Sequence, residues 1–199
     1  MSILTTGRAS LSKEKFNNIY HGEFYDLHKP DGGLWGSTFK DIKKDIYASS
    51  WLEYCAGIVE ETFFRKQFNF GVVYGLKDSA KILNIDSDED YINLHKNYGD
   101  INTNYTRHTS FINWIKLSKD YDAIHFTEEC FLRWRNIFYR SDLGLRDLFS
   151  FDCESWIIFN FDCIDLDSCK TLYFAELTNN HEVLTEIIRI NQSIIRKDK

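Results

Sequence analysis

The chain has 199 residues, of which 43% are hydrophobic and 16% aromatic, with 24 Lys and Arg against 30 Asp and Glu. This composition is enough for a buried core and excludes an intrinsically disordered chain. The net charge of −6 argues against a broad nucleic-acid-binding surface, and no apolar run reaches the ~20 residues of a membrane-spanning helix. We therefore expect one domain over residues 1–199, with no membrane partner and a cytoplasmic location.

The predicted elements of the first half begin with a short strand from Phe16 to His21. The segment from Lys29 to Gly36 contains the only proline of the chain and two adjacent glycines, which predicts a turn. Apolar side chains then recur at helical spacing and predict a helix from Ile46 to about Phe64. The residues from Phe68 to Leu76 are rich in strand formers, so the first half mixes strands with a helix.

Five further elements are predicted in the second half: a helix capped by Thr109 and Ser110 that ends at Leu117, a strand Tyr121–Phe126, a buried strand Ser155–Asn160, a strand Leu172–Ala175 and an amphipathic helix Val183–Ile195. Strands and helices do not alternate regularly, and the chain has neither a phosphate-loop motif nor G-x-G-x-x-G. The pattern therefore predicts an α+β domain instead of a doubly wound parallel sheet.

Cysteine and acidic residues give no metal-ion site in the sequence. Five cysteines without a C-x-x-C pair predict free thiols in a reducing compartment. Asp86, Asp88 and Asp90 have the spacing that begins a calcium loop. However, Tyr91 stands where that loop needs Gly, and Asn97 where it needs Glu. We interpret this segment as a solvated acidic loop.

Three segments contain side chains that could take part in catalysis or ligand binding. The first is Tyr20-His21-Gly22, at the end of the first predicted strand. The second is Gly33-Leu34-Trp35, with the helical segment from Ser49 to Tyr54 behind it. In the third, Glu154 directly precedes an apolar strand.

In this order the segments resemble the ADP-ribosyltransferase superfamily, in its His-Tyr-Glu branch shared by diphtheria-type toxins and poly(ADP-ribose) polymerases. In that branch a strand ends in His-Gly, a Gly-apolar-Tyr segment and a helix with Ser and an aromatic residue follow, and a Glu precedes an apolar strand. The matches span residues 19–160, except for about residues 60–120. Trp35 stands at the Tyr position of the branch, so the ring can stack but has no hydroxyl.

The resemblance implies an ADP-ribosyltransferase-like split β-sheet flanked by helices. The implied reaction transfers ADP-ribose from NAD, a co-substrate that needs no metal, to a protein or nucleic-acid acceptor and releases nicotinamide. Glu154 and His21 are the implied catalytic residues. The implied NAD-binding residues are His21, Gly22, Trp35, Ser37, Ser50, Trp51 and Tyr54.

The residue types suit this chemistry. Cleavage of the nicotinamide–ribose bond passes through an oxocarbenium-like state, which a carboxylate such as Glu154 stabilises. His21 can fix a ribose hydroxyl, and Gly22 allows the backbone to approach the carboxamide closely. The faces of Trp35, Trp51 and Tyr54 can stack on the cationic nicotinamide ring.

The acceptor is less defined. Arginines interleaved with aromatic residues precede Glu154, which suits an anionic acceptor; an ordinary amphipathic helix with a solvated basic face is an equal alternative. The resemblance implies acceptor roles for Asp152, Arg133, Arg135 and Arg140. Two other functions remain open: a NAD glycohydrolase, with water as the acceptor, and a catalytically inactive NAD-binding or interaction module of the same fold.

Overall fold

The computed structural model describes residues 1–20, 29–40, 49–57, 70–102, 109–134, 151–173 and 189–190. Within these residues the protein is mixed α/β. In chain order the elements are β1 (Ile3–Thr6), β2 (Leu34–Thr38), α1 (Ser50–Gly57), β3 (Phe70–Leu76), β4 (Ile82–Ile85), α2 (Asp88–Tyr98), β5 (Gly99–Asn102), β6 (Thr109–Ile112), α3 (Trp114–Asp120), β7 (Ala123–Phe126), α4 (Glu128–Trp134), β8 (Ser155–Ile158), β9 (Ile164–Tyr173) and β10 (Arg189–Ile190). Short 3₁₀ turns lie at Lys13–Lys15 and Phe161–Cys163.

The chain divides into two compact units. The first consists of Met1–Lys15, Gly36–Asp78 and Asp162–Lys199, and the second of Phe16–Trp35 and Ser79–Phe161. In the first unit the strands lie in the order β10-β9-β3-β1-β2, and each neighbouring pair is antiparallel. Leu4, Leu52, Val73 and Leu172 form a buried cluster in this unit. Leu52 brings α1 into that cluster, so the helix is fixed through its apolar side.

In the second unit β7 lies between two neighbours. It pairs with β4 in parallel and with β8 antiparallel, while β5 and β6 form a separate antiparallel pair. Because side chains alternate along a strand, Ile124 and Phe126 point to one side of β7 and His125 to the other. The side of Phe126 faces a large core to which α2, α3 and α4 contribute Tyr91, Trp114 and Trp134.

Side-chain caps lie at the starts of α2 and α3. Ser87 accepts a hydrogen bond from the Asp90 backbone N–H at 3.1 Å, and the Asp90 carboxylate accepts one from the Ser87 backbone N–H. This reciprocal pair satisfies two donors that a helix start leaves unpaired. Asn113 caps α3 in the simpler way, since its side-chain oxygen accepts from the Lys116 backbone N–H at 2.9 Å.

Two glycines form the turn that leads into β2. Gly32 and Gly33 have φ angles of +81° and +68°, a region that other residues rarely adopt. A Cβ on Gly33 would also lie 2.9 Å from the Ile158 carbonyl oxygen, and one on Gly32 would overlap the backbone of Asn18. Both the turn and the close approach to β8 therefore require glycine.

The most apolar predicted strands are confirmed. β3 lies within the predicted segment Phe68–Leu76, β7 within Tyr121–Phe126 and β8 within Ser155–Asn160. All four residues of β7 and of β8 are buried, as their composition indicates. α1 lies within the helix predicted over Ile46–Phe64; the rest of that prediction falls outside the described residues except for Ser49.

Two predictions near the beginning of the chain are corrected. Phe16 to Ile19 have no regular structure, and Tyr20 makes only an isolated bridge to Asp31, while His21 lies outside the described residues. The turn predicted over Lys29–Gly36 is shorter, because β2 already begins at Leu34 and pairs with β1.

Four further predictions are corrected by long-range pairing or capping. Thr109 and Ser110 are in β6 and do not cap a helix, because they pair with β5. Asp88 and Asp90 belong to α2 and not to a loop. Leu172 and Tyr173, from the strand predicted at Leu172–Ala175, are the end of the longer β9, and Phe174 and Ala175 lie outside the described residues. The helix predicted over Val183–Ile195 is wrong at Arg189 and Ile190, which pair with β9; its other residues lie outside the described part.

Candidate active site

Glu154 lies in a bend immediately before β8. The Ser155 hydroxyl donates to the Cys153 carbonyl oxygen at 2.8 Å, which closes this bend. The Glu154 side chain is only 4% exposed, and its Oε1 lies 2.5 Å from Nε2 of His125. A carboxylate at such depth requires polar partners, and His125 supplies one of them.

The register of β7 and β8 explains how His125 reaches Glu154. His125 is directly opposite Trp156, and the two rings stack with centroids 4.0 Å apart and planes inclined by 10°. Glu154 and Trp156 are two residues apart and share one side of β8, the side opposite to Ile157 and the core. On β4, the exposed Asn84 pairs in register with His125. Asn84, His125 and Trp156 therefore lie in one row across the three strands, and Glu154 lies two residues before Trp156.

A second group, here called the Lys29 cluster, consists of Lys29, Trp35, Phe151 and Asp152. The Lys29 ammonium lies 3.1 Å from Oδ2 of Asp152, 5.8 Å from the centroid of the Trp35 ring and 5.7 Å from that of Phe151. The two rings are 5.6 Å apart, and Trp35 Nε1 donates to the Gly32 carbonyl oxygen. The cluster thus surrounds one cation with a carboxylate and two aromatic rings.

Trp51 and Tyr54 contact each other in the first unit. Their rings stack with centroids 5.6 Å apart and an interplanar angle of 26°, and Trp51 Nε1 donates to Oγ1 of Thr6 at 2.9 Å. The expectation was that these faces stack on a nicotinamide ring. In this structure one face of the Trp51 ring instead contacts the Tyr54 ring.

Two predicted NAD-binding serines are buried. Ser37 in β2 is 1% exposed and Ser50 at the start of α1 is 7% exposed. Neither hydroxyl has a hydrogen-bond partner among the described residues. The neighbouring Ser49, by contrast, accepts a hydrogen bond from the Leu52 backbone N–H. Buried hydroxyls nearly always have a partner, so Ser37 and Ser50 retain capacity for one.

The predicted site residues that remain are Arg133, which is described, and four residues that are not. Arg133 is largely exposed on α4 and forms an ion pair with Glu129, one turn earlier. Such exposed pairs contribute little to stability, so the arginine is available to other anions. His21, Gly22, Arg135 and Arg140 lie outside the described residues.

Four cysteines have described side chains. Cys130, Cys153, Cys163 and Cys169 are not in disulfides. Burial, followed by the negative charge of Asp88, raises the pKa of the Cys130 thiol to about 12. Burial and then Asp165 raise the pKa of the Cys169 thiol to about 11. Because the thiolate is the nucleophile, neither group is activated for catalysis near neutral pH.

Comparisons with protein-family models, with curated proteins and with solved structures find no match for this chain. The ADP-ribosyltransferase-like fold therefore stays a prediction from the sequence. In the described part of the chain, no helix has the length and apolar character that crossing a membrane would require. No three His, Cys, Asp or Glu side chains among the described residues come together as a metal-ion site.

The sequence did not identify His125 as a site residue, nor Lys29 and Phe151 of the Lys29 cluster. The segment of His125, Tyr121 to Phe126, predicts a strand but gives no reason to connect the imidazole with an acid 29 residues later. The available signal was the pair of short apolar strands, of which one contains a His and the other follows a Glu. Their register, which brings the two side chains together, depends on tertiary pairing.

Proposed function

We propose that this protein transfers ADP-ribose from NAD to an acceptor and releases nicotinamide. The observation that carries the proposal is the Glu154 carboxylate, which is buried immediately before the apolar strand β8 and hydrogen-bonded to His125. A fixed carboxylate in a site of low polarity stabilises a developing positive charge much more strongly than one in water. The order of motifs along the chain is the second support.

The proposed step requires little of the protein beyond charge and orientation. The bond between ribose C1′ and the nicotinamide nitrogen breaks, and its electron pair neutralises the pyridinium. A lone pair of the acceptor forms the new bond to C1′, and the acceptor proton passes to solvent. Glu154 carries the negative charge that favours the oxocarbenium-like state between these events.

The structure has features that fit NAD. The Lys29 cluster already holds a cation against Trp35, and the nicotinamide ring of NAD is also cationic. The buried hydroxyls of Ser37 and Ser50 have capacity for hydrogen bonds, which ribose hydroxyls and a carboxamide can use. For the two serines, NAD binding is what the resemblance implies. In the second unit, Trp35 would stack on the nicotinamide ring and Glu154 would act on the reacting bond of NAD.

One observation favours NAD hydrolysis as the second candidate function. Asp152, for which the resemblance implies a role in activating the acceptor, is ion-paired with Lys29. The Oδ2 atom of Asp152 is occupied by the Lys29 ammonium and does not face an acceptor hydroxyl in this arrangement. Water needs no such specific activation, so this contact favours the glycohydrolase.

The deciding experiment is incubation of the protein with NAD that carries a label in its adenylate half, with and without a cell lysate. We expect release of nicotinamide in both cases and label in the protein or nucleic-acid fraction with lysate. Free ADP-ribose without a labelled fraction would identify the glycohydrolase. No release of nicotinamide under either condition would contradict both functions.

The two buried serines allow a test of NAD binding that does not depend on turnover. Ser37→Ala and Ser50→Ala remove a buried hydroxyl that has no partner among the described residues, so the protein alone should keep its stability or gain up to ~1 kcal/mol. Both variants should bind NAD about 5- to 10-fold more weakly, because each loses ~1 kcal/mol of hydrogen bonding. Calorimetric titration with NAD and thermal unfolding without it measure the two effects.

Ser49→Ala is the matched control for this prediction. It removes the hydroxyl that accepts from the Leu52 backbone N–H, so it should lower stability by about 1 kcal/mol and leave NAD affinity unchanged. If Ser37→Ala and Ser50→Ala bind NAD as tightly as the wild type, these hydroxyls do not contact NAD.

A further inference from the structure

We propose that His125 is a positioning residue for Glu154. The imidazole Nε2–H fixes one carboxylate oxygen, and Trp156 fixes the plane of the imidazole. This role rests on the proposed function, because the carboxylate that His125 orients is the one proposed to act on NAD. His125 itself touches no reacting atom in this scheme.

The backbone around His125 is suited to hold a side chain accurately. β7 has a neighbouring strand on each side, and His125 is paired in register with Asn84 on one and Trp156 on the other. Groups that must be held to a fraction of an ångström are best carried by such central elements. The bend that carries Glu154 leads directly into β8, so acid and imidazole are both attached to the same pair of strands.

Trp156 limits the freedom of the imidazole. The two ring planes are nearly parallel, inclined by 10°, and their centroids are 4.0 Å apart. Rotation of the imidazole out of this plane would break the stack, so the ring edge with Nε2 stays directed at Oε1 of Glu154, 2.5 Å away. The stack on Trp156 therefore restricts the direction of the hydrogen bond between His125 and Glu154.

The chemical consequence concerns the proton on the imidazole. An ionised carboxylate can only accept, so Nε2 must carry a hydrogen when it bonds to Glu154. A hydrogen bond to the charged form orients the carboxylate without removing its negative charge. The same contact can be reproduced by a side chain whose amide nitrogen reaches as far as Nε2.

Two variants of His125 separate positioning from simple packing. The amide nitrogen of Gln reaches about as far as Nε2, whereas that of Asn ends near the position of Nδ1. His125→Gln should therefore retain kcat for nicotinamide release within about 3-fold. His125→Asn should lower kcat by about 30- to 100-fold with KM for NAD nearly unchanged, since a displacement of about 1 Å in a reacting group has effects of this size.

A spectroscopic measurement tests the hydrogen bond without NAD. In ¹⁵N NMR spectra the wild-type imidazole should carry its hydrogen on Nε2, and Glu154→Ala should shift the hydrogen towards a mixture of both nitrogens. Wild-type hydrogen on Nδ1 alone would overturn the proposal. Equal loss of kcat in the Gln and Asn variants, or no loss in either, would also overturn it.

Failure of the proposed function has a different signature. If the wild type releases no nicotinamide, the proposed function and the catalytic role of His125 both fail, even if the NMR spectra show the hydrogen bond. If the wild type is active and the two variants behave alike, only the role of His125 fails. Thermal unfolding of both variants is measured alongside, so that rates are compared on folded protein.

Discussion

Glu154→Gln is expected to reduce the rate of nicotinamide release from NAD by ~100-fold or more. The amide keeps the shape of the side chain, and its oxygen can still accept from Nε2 of His125, the partner of Oε1 in the wild type. Only the negative charge is removed, so the oxocarbenium-like state loses its stabilisation while the fold persists. Steady-state assays of nicotinamide release measure the effect, and circular dichroism confirms the fold.

Glu89→Gln provides the matched control, because Glu89 is an exposed acid at the beginning of α2. It undergoes the same chemical change and should release nicotinamide at the wild-type rate. A Glu154→Gln protein that is as active as Glu89→Gln would remove Glu154 from the reaction.

Trp134→Ala is expected to lower the free energy of unfolding by about 3–5 kcal/mol. Trp134 is 1% exposed at the end of α4, its ring lies 4.3 Å from that of Tyr91, and its Nε1 donates to Oδ1 of Asp88 at 2.9 Å. Truncation leaves a cavity between α4 and α2 and removes the bond to Asp88. Urea unfolding followed by circular dichroism measures the loss.

Leu132→Ala is the control on the same helix. Leu132 is 58% exposed, so its truncation should change the free energy of unfolding by no more than about 0.5 kcal/mol. Similar losses in the two variants would contradict the burial of Trp134 and with it the packing of α4 on the core.

The sequence predicts β7 and β8 better than the other elements of the second unit, for a physical reason. β7 and β8 each have three apolar residues out of four, and such strands are buried in the core. α2 instead begins with three acidic residues, a composition that is typical of a loop. The reciprocal cap between Ser87 and Asp90 makes this segment the start of a helix. Thr109 and Ser110 suit a cap as well as a strand, and only pairing with β5 decides between them.

The candidate site shows the same limit. Glu154 is identifiable because it precedes an apolar strand, which is a local property. Its contact with His125 is not local, because a slip of one residue between β7 and β8 would turn the imidazole to the opposite side. The Lys29 cluster likewise joins residues 123 positions apart, a distance that no pattern in the sequence indicates.

In the Lys29 cluster, the Lys29 ammonium would compete with any cationic ligand for the Asp152 carboxylate and the two aromatic rings. The lysine is tethered by the chain next to a carboxylate and two rings, so it acts as a built-in competitor at an effective concentration on the millimolar scale. A free alkylammonium ion offers nothing that Lys29 does not already provide and would be excluded. A flat aromatic cation gains stacking over a whole ring face in addition to its charge. Under the proposed function, the tethered amine would make the two rings selective for planar cations over simple amines.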